Sequence, residues 1–487
     1  AGCENLYRRH QLPLKTIVAF DERETAGFFK VMYVFGLPKK NAFLAPYILV
    51  EKDFPSLTLS IHEASTYERK IQTFFGLIPR GHPDPRPLIL HENWPDTVFP
   101  LRKDFPWNLR PETASGEFQF RKISGEGIYE IPVGPVHAGI IEPGHFRFSV
   151  AGEEILFLEP RLGYSHKGCE KLFEILSLPD KIKLAERISG DSSYSHSLAF
   201  CLALESLNGT ATGERKDYLR VVYSELERLA NHLGDIGAIM ADTGFNFGGA
   251  HGARVREIVM QINKRLTGSR FLRGVNVPGG VTKDIAPETL SLLDKELNEL
   301  NGDFSEVMTV AEDSNSLLNR LKNTGVLPYG IAKDHGVIGV AGKALGIAAD
   351  ARIDYPYAAY DTLAFDVATE KSGDVYARFY VRVREVYSSI GLIKKALKNL
   401  RQTGEISASN TSDFRRNSYA VGIVEGWRGD IVYLVATDSS GNISRVDVRD
   451  PSFLNWTVLG HAARGNMVPD FPLINKSFNL SYSGNDL

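Results

Sequence analysis

The chain has 487 residues, 43% of them hydrophobic and 24% charged, ordinary globular values that exclude a disordered or fibrous protein and leave room for more than one structural unit. Its 56 basic and 59 acidic residues leave a net charge of -3, which offers no footprint for nucleic acid or another polyanion. The three cysteines, Cys3, Cys169 and Cys201, are too few and scattered for a disulfide framework or a four-thiolate metal site, and they fit a reducing cytoplasm.

Up to about Pro111, short apolar runs such as Thr16 to Phe20 and Tyr47 to Val50 alternate with charged stretches, an α+β pattern. The end of this segment is dense in proline and glycine. Its blocks are Tyr67-Glu68-Arg69, Phe74-Phe75-Gly76-Leu77, Gly81-His82-Pro83-Asp84-Pro85-Arg86 and Pro100-Leu101-Arg102-Lys103-Asp104-Phe105, which dictate fixed loops. The Gly, Ser and Glu content between Pro111 and Gly127 reads as a linker. Beyond Ile128 to Val133 comes a loop with His137, Glu142 and His145 at its rim. The alternation of Phe146 to Val150 and Ile155 to Leu158 then predicts a hairpin closed by Ala151-Gly152-Glu153.

From Lys181 onward the periodicity is helical. Val222, Leu226, Leu229, Leu233, Ile236 and Met240 predict one helix between Asp217 and Ala241, and further helices are expected from Arg254 to Leu266, after Pro287, and from Tyr376 to Leu400. Gly302 is expected to interrupt the third of these. The Gly-rich run from Gly336 to Ala349 is short and carries Lys343, so nothing approaches the roughly 18 apolar residues of a membrane span. The tail returns to strands at Gly422 to Val424, Ile431 to Ala436 and Ile443 to Val448 and ends irregularly after Trp456.

The organising stretch is Arg187-Ile188-Ser189-Gly190-Asp191-Ser192-Ser193-Tyr194-Ser195-His196, ahead of the apolar run Ser197 to Glu205, which reads as a buried helix. The simplest local reading is a serine-rich helix entry whose hydroxyls satisfy orphan backbone donors. The same ten residues resemble the motif R-x-C-G-x-C-x-x-x-H of the large subunit of nickel-iron hydrogenases, with Ser189 and Ser192 in place of both metal-binding cysteines. They resemble equally the quinone-site subunit of respiratory complex I, where Gly190 falls at a quinone-contacting tyrosine. Further anchors are Gly163-Tyr164-Ser165-His166-Lys167-Gly168, Asn231-His232-Leu233, Pro278-Gly279-Gly280-Val281, Gly373-Asp374-Val375-Tyr376 and Asp450-Pro451-Ser452-Phe453. The blocks before Pro111 resemble the small hydrophilic subunit of complex I. Together the resemblance covers nearly the whole chain, and its sub-branch looks like the membrane-bound, energy-converting hydrogenases of the formate hydrogenlyase kind and their non-hydrogenase relatives.

The resemblance implies an α+β fold: a small N-terminal α/β docking domain (1–115), a linker (116–127) and a large helical-bundle domain with small flanking antiparallel sheets (128–487). It implies the hydrophilic large subunit of a multi-subunit oxidoreductase, held at the cytoplasmic side of the cell membrane by partners. Those partners would be an iron-sulfur small subunit and membrane-embedded subunits. Nickel in such enzymes is held by soft thiolates, and serine hydroxyls with far higher pKa are poor substitutes. No cofactor is therefore expected on this chain, with a quinone or a sulfur compound as acceptor in its cavity. By the same resemblance Glu142, His145, His196 and Arg428 are expected as proton donors or anion partners, and Ser189, Ser192, Arg187, His137 and Asp450 as the lining of the former metal site. The rival expectations are a non-catalytic coupling scaffold and a true hydrogenase subunit, the latter needing the missing cysteines.

Overall fold

The computed structural model describes residues 2–138, 141–404, 406 and 413–487. It opens with an antiparallel sheet in which β1 (Leu14–Glu22) pairs with one edge of β2 (Phe28–Leu37), and β3 (Ala42–Leu44) and β4 (Tyr47–Val50) follow one another along the other edge. Helix α1 (Ala64–Phe75) packs on this sheet with Tyr67, Ile71, Phe74 and Phe75 buried. Residues 109–127 form no helix or strand, and within them the Arg121 amide donates to Glu159 of the sheet that follows at 2.8 Å. That sheet is β5 (Ile128–Val133), β6 (His145–Ala151) and β7 (Glu154–Arg161), with the expected hairpin turn after Ala151.

The bundle is built on α2 (Ser193–Asn208), α3 (Glu214–Asp242), α4 (Asn246–Thr267), α5 (Pro287–Glu312) and α6 (Val375–Leu400). Helices α3 and α4 approach closely where Gly237 faces Gly252, since a Cβ on Gly252 would lie 2.5 Å from the Gly237 Cα. Helix α5 runs unbroken through Gly302, against expectation. One glycine costs about 1 kcal/mol in a helix, which the continuous buried stripe of Leu293, Leu297, Leu300, Phe304 and Val307 outweighs.

A last sheet, β8 (Tyr419–Gly426), β9 (Gly429–Thr437) and β10 (Ile443–Arg449), locks the two ends of the chain together. Every residue of β9 is buried. Tyr433 and Val435 face the bundle core, while Leu434 and Ala436 meet Val18, Phe20, Met32 and Val34 of the N-terminal sheet. Burial on both faces is why this strand reads as a continuous apolar run. Ionic contacts complete the joint: Lys70 reaches Glu170 at 2.9 Å and Asp447 at 3.1 Å, all buried. The tail beyond Trp456 is less irregular than expected, holding α8 (Leu459–Ala463), α9 (Phe471–Phe478) and α10 (Tyr482–Asp486) after α7 (Pro451–Asn455). Helices of one or two turns offer too few positions to show a period.

Strand β8 lies so close to α2 that a Cβ on Gly422 would stand 2.0 Å from the Ala199 carbonyl oxygen. Gly422→Ala should therefore lose about 1–3 kcal/mol through a forced backbone shift. Gly302→Ala, where a Cβ meets open space, should gain up to about 1 kcal/mol. Denaturant unfolding of both variants checks the pair, and an unchanged midpoint for Gly422→Ala would refute the close approach.

Candidate functional site

The ten-residue stretch folds as a short turn that delivers Ser193 to the start of α2. The serines do not cap that helix. Glu227 of α3 does, its carboxylate accepting from the amides of Tyr194 at 2.7 Å and Ser195 at 3.1 Å. Burial pushes that carboxyl up to about 7. Relieved of capping, Ser189 donates to Asp191 Oδ1 at 2.9 Å and accepts from the Ser481 hydroxyl at 2.8 Å, while Ser192 lies 3.3 Å from the same Asp191 oxygen.

Asp191 is the centre of the cluster. Arg428, at the turn between β8 and β9, grips it with two parallel bonds of 2.7 Å, and a third nitrogen donates to the Asn479 carbonyl. The Trp427 ring lies 3.8 Å beneath the guanidinium carbon, and its indole N–H donates to the Asp191 carbonyl at 3.2 Å. Burial opposes ionisation of Asp191, but the Arg428 charge and fork prevail and hold its carboxyl at about 2.

The polar chain continues through the last helices. The Ser481 amide donates to Ser452 Oγ at 2.9 Å, the Ser481 and Ser483 hydroxyls stand 3.4 Å apart, and the Ser483 amide donates to Glu142 at 3.0 Å. Below it, Asp450 caps α7 by accepting from the Ser452 amide at 2.7 Å and meets His196 Nε2 at 3.0 Å. A donor Nε2–H there leaves His196 Nδ1 to accept the Tyr433 hydroxyl, 3.0 Å away. Burial works against the Asp450 charge, but the His196 bond and the Arg428 field leave its carboxyl below the usual range.

Of the residues singled out from the sequence, Glu142, Ser189, Ser192, His196, Arg428 and Asp450 thus join one connected network. The other three lie elsewhere. Arg187 is exposed and donates to the Lys183 carbonyl at 2.7 Å. His137 clasps its own loop through the Gly144 carbonyl at 2.7 Å. His145 is held between the Gly134 carbonyl and Arg147, and burial lowers its pKa. Asp191, Ser481, Ser483 and Glu227 escape a reading of the sequence because each meets the cluster only through the fold. The only available sign is the acid inside the motif itself, Asp191.

The donor set does not suit a thiolate-held metal. Ser189, Ser192 and Ser452 offer hydroxyls already bonded to one another's neighbours, and Asn455, three residues after Ser452, turns away to bond both backbone groups of Ile338 at 3.1 and 3.2 Å. Among the described residues no group of three or more His, Cys, Asp or Glu is arranged to hold a metal ion. What the arrangement offers instead is a run of hydroxyls and carboxylates able to exchange protons beside a neutralised guanidinium.

The resemblance carried by the motifs is matched by comparison with known proteins. Residues 242–419 and 415–486 match the family described as respiratory-chain NADH dehydrogenase, 49 Kd subunit, and residues 3–111 match the 30 Kd subunit family of the same enzyme. The chain is 32% identical to formate hydrogenlyase subunit 5 of Escherichia coli over 99% of its own length and 86% of that protein. It is 33% identical to hydrogenase-4 component G of the same organism, over 99% and 85% of the two chains. NADH-quinone oxidoreductase subunit 4 of Thermus thermophilus is 31% identical over 76% of this chain and 95% of its own. The chain therefore belongs to the family of the 49 Kd subunit of respiratory-chain NADH dehydrogenase and its hydrogenase relatives, with a 30 Kd subunit-type unit fused ahead of it, and is a hydrophilic subunit of a complex I-related oxidoreductase.

Proposed function

We propose that the chain is a metal-free coupling subunit, in which the Ser189–Asp191–Arg428 network links electron transfer in a partner to ion movement in membrane subunits. One observation carries this reading: the guanidinium expected to face a metal or an anionic acceptor is gripped by an internal carboxylate, at 2.7 Å twice. An arginine so neutralised no longer stabilises a new negative charge by itself, but it forms a pair that a proton or a nearby charge can open. An iron-sulfur subunit would supply electrons, and membrane-embedded subunits would hold the chain at the cytoplasmic face. No helix among the described residues is long and apolar enough to cross a membrane. The division into a docking unit (1–115), a connecting segment (116–127) and a main unit (128–487) belongs to the same proposal.

A second reading keeps an acceptor, a quinone or a sulfur compound, at the network, with Glu142 and His196 as proton donors. It is favoured by the loop beside Glu142, where Val136 is 84% and Ile141 49% exposed, apolar side chains set ahead of a proton-bearing group. The two readings share one expectation: elemental analysis of the intact complex should find no nickel assigned to this chain. About one nickel per chain would refute both.

A further inference from the structure

Between the N-terminal unit and the main unit lies a cavity of about 630 Å³, the size of a small-molecule site. It is separate from the network above, since Ser189, Asp191, Ser192 and Arg428 take no part in its lining. Its floor is apolar, formed by Leu158, Phe453, Leu454 and Trp456, all buried. One side is closed by the strap that follows the docking unit, where the Phe118 ring covers the guanidinium of Arg161 at 4.3 Å and that of Arg86 at 5.2 Å.

The polar groups on its walls are unevenly satisfied. Three carboxyl groups, Glu63, Asp84 and Glu159, face five arginines. Asp84 is taken by Arg86 and Arg121 at 2.8 and 2.9 Å, Glu159 by Arg86 at 2.7 Å, and Arg161 by Glu92 at 2.7 Å. Two cations are left over. Arg69 donates to the carbonyls of Arg86 and Pro87 and feels the charges of Asp84 and Glu159 only at longer range, since no carboxylate among the described residues lies within ion-pair distance of it. The Arg464 side chain lines the wall and makes no hydrogen bond or ion pair among the described residues. The third acid does not cancel them: Glu63 is buried, and desolvation pushes its carboxyl up to about 8 against the opposing charges of Lys15 and Arg449. Beside it stand three imidazole rings, with His335 4.3 Å from His62 and 5.3 Å from His461 between centroids. Burial and its two neighbours hold His335 neutral, with its pKa at about 3.

Two guanidinium groups outside any ion pair, set beside an apolar floor, are complementary to one kind of guest. We propose that this cavity is a binding site for a small organic anion, an apolar body bearing a phosphate, sulfonate or carboxylate group, with Arg69 and Arg464 holding the charge. The body rests on Phe453 and Trp456. The fusion of the two units makes the site, because the N-terminal unit supplies Glu63 and Arg69 while the segment after α7 supplies Trp456, His461 and Arg464.

The full chain titrated with an anilinonaphthalene sulfonate dye, an aromatic body with one anionic group, should show a single saturable site by fluorescence. Arg464→Glu, at an exposed position where folding is undisturbed, should weaken that site at least about tenfold, the loss of one charge-assisted contact. Arg401→Glu, at another exposed arginine that takes no part in the cavity lining, should leave it unchanged. Arg69→Gln should weaken it further, and if that variant does not fold, the Arg464 and Arg401 comparison decides alone. Absence of saturable binding, equal affinity in Arg464→Glu and the unaltered chain, or an equal loss in Arg401→Glu would each overturn the proposal.

Discussion

Replacing Lys343 with methionine is expected to cost roughly 3–5 kcal/mol of stability at neutral pH, because it removes the one cation shared by three buried carboxylates. The Lys343 ammonium lies 2.7 Å from Asp350, 2.8 Å from Glu385 and 3.1 Å from Glu425, and all four side chains are 3% exposed or less. Burial disfavours its charge, but Asp350, Glu385 and Glu425 more than restore it and raise its pKa. Arg352 would still hold Asp350 through two bonds of 2.9 and 2.7 Å, and His232 would still meet Glu385 at 2.6 Å. Among the described residues, Glu425 would keep only the Ala351 amide at 2.9 Å. Burial already raises its carboxyl, with Asp350 adding to the effect, so in the variant it should take up a proton.

The pH dependence follows with a definite sign. A carboxyl whose folded pKa stands above its unfolded value binds more protons in the folded state, so the variant regains stability relative to the unaltered chain as pH falls. The deficit should therefore shrink between pH values of about 8 and 5, and Lys343→Met combined with Glu425→Gln should recover part of it at the higher pH. Denaturant unfolding of the three proteins at both pH values checks this. A loss below about 1 kcal/mol, the scale of an exposed pair, or a deficit that grows on acidification, would show that the cluster is not the buried ionic centre described.

Lys343 also illustrates what is legible in the sequence. Inside a glycine-rich apolar run it reads only as a break in hydrophobicity, because its three acidic partners come from positions 350, 385 and 425. The long helices are legible for the opposite reason. Val222 to Met240 repeat one pattern over many turns, and burial of one face enforces it. The strand from Ile431 to Ala436 stands out by composition, although the sheet that covers its far face comes from the start of the chain. At the site, Ser189, Ser192, His196, Arg428 and Asp450 are reached through spacing and resemblance. Arg187 belongs to the same motif and His137 to the same resemblance, yet their side chains turn toward nearby carbonyls. Asp191 lies within the motif but takes its meaning from an arginine 237 positions away.

That pair gives the second large expectation. Arg428→Ala should strand a carboxylate now held at about 2 by the guanidinium, and Asp191→Asn should leave a guanidinium that is 5% exposed without its counter-charge. Asp191 itself is 35% exposed at the side chain, so water softens the first loss more than the second. Asp191→Asn should be the more destabilising of the two, by about 2–4 kcal/mol. The double variant should be less affected than the sum, since neither charge is then left alone. Function should not follow stability in the same way. If the pair is the element that opens when charge moves, each single variant and the double variant should lose donor-dependent electron transfer, by about 2–4 kcal/mol in the barrier, in complexes first shown to contain every subunit. Arg428→Lys keeps the charge but not the two-pronged grip and should also be impaired. If instead an anionic acceptor binds beside Arg428, Asp191→Asn frees the guanidinium and should strengthen its binding, lowering KM while the arginine variants raise it. His196→Ala separates the contributions further, because it removes the partner of Asp450 without touching the fork, and should shift the pH profile of turnover. Unaltered rates in all of these variants would leave the network a structural feature of the joint between the bundle and the last sheet, with the coupling lying in the partner subunits.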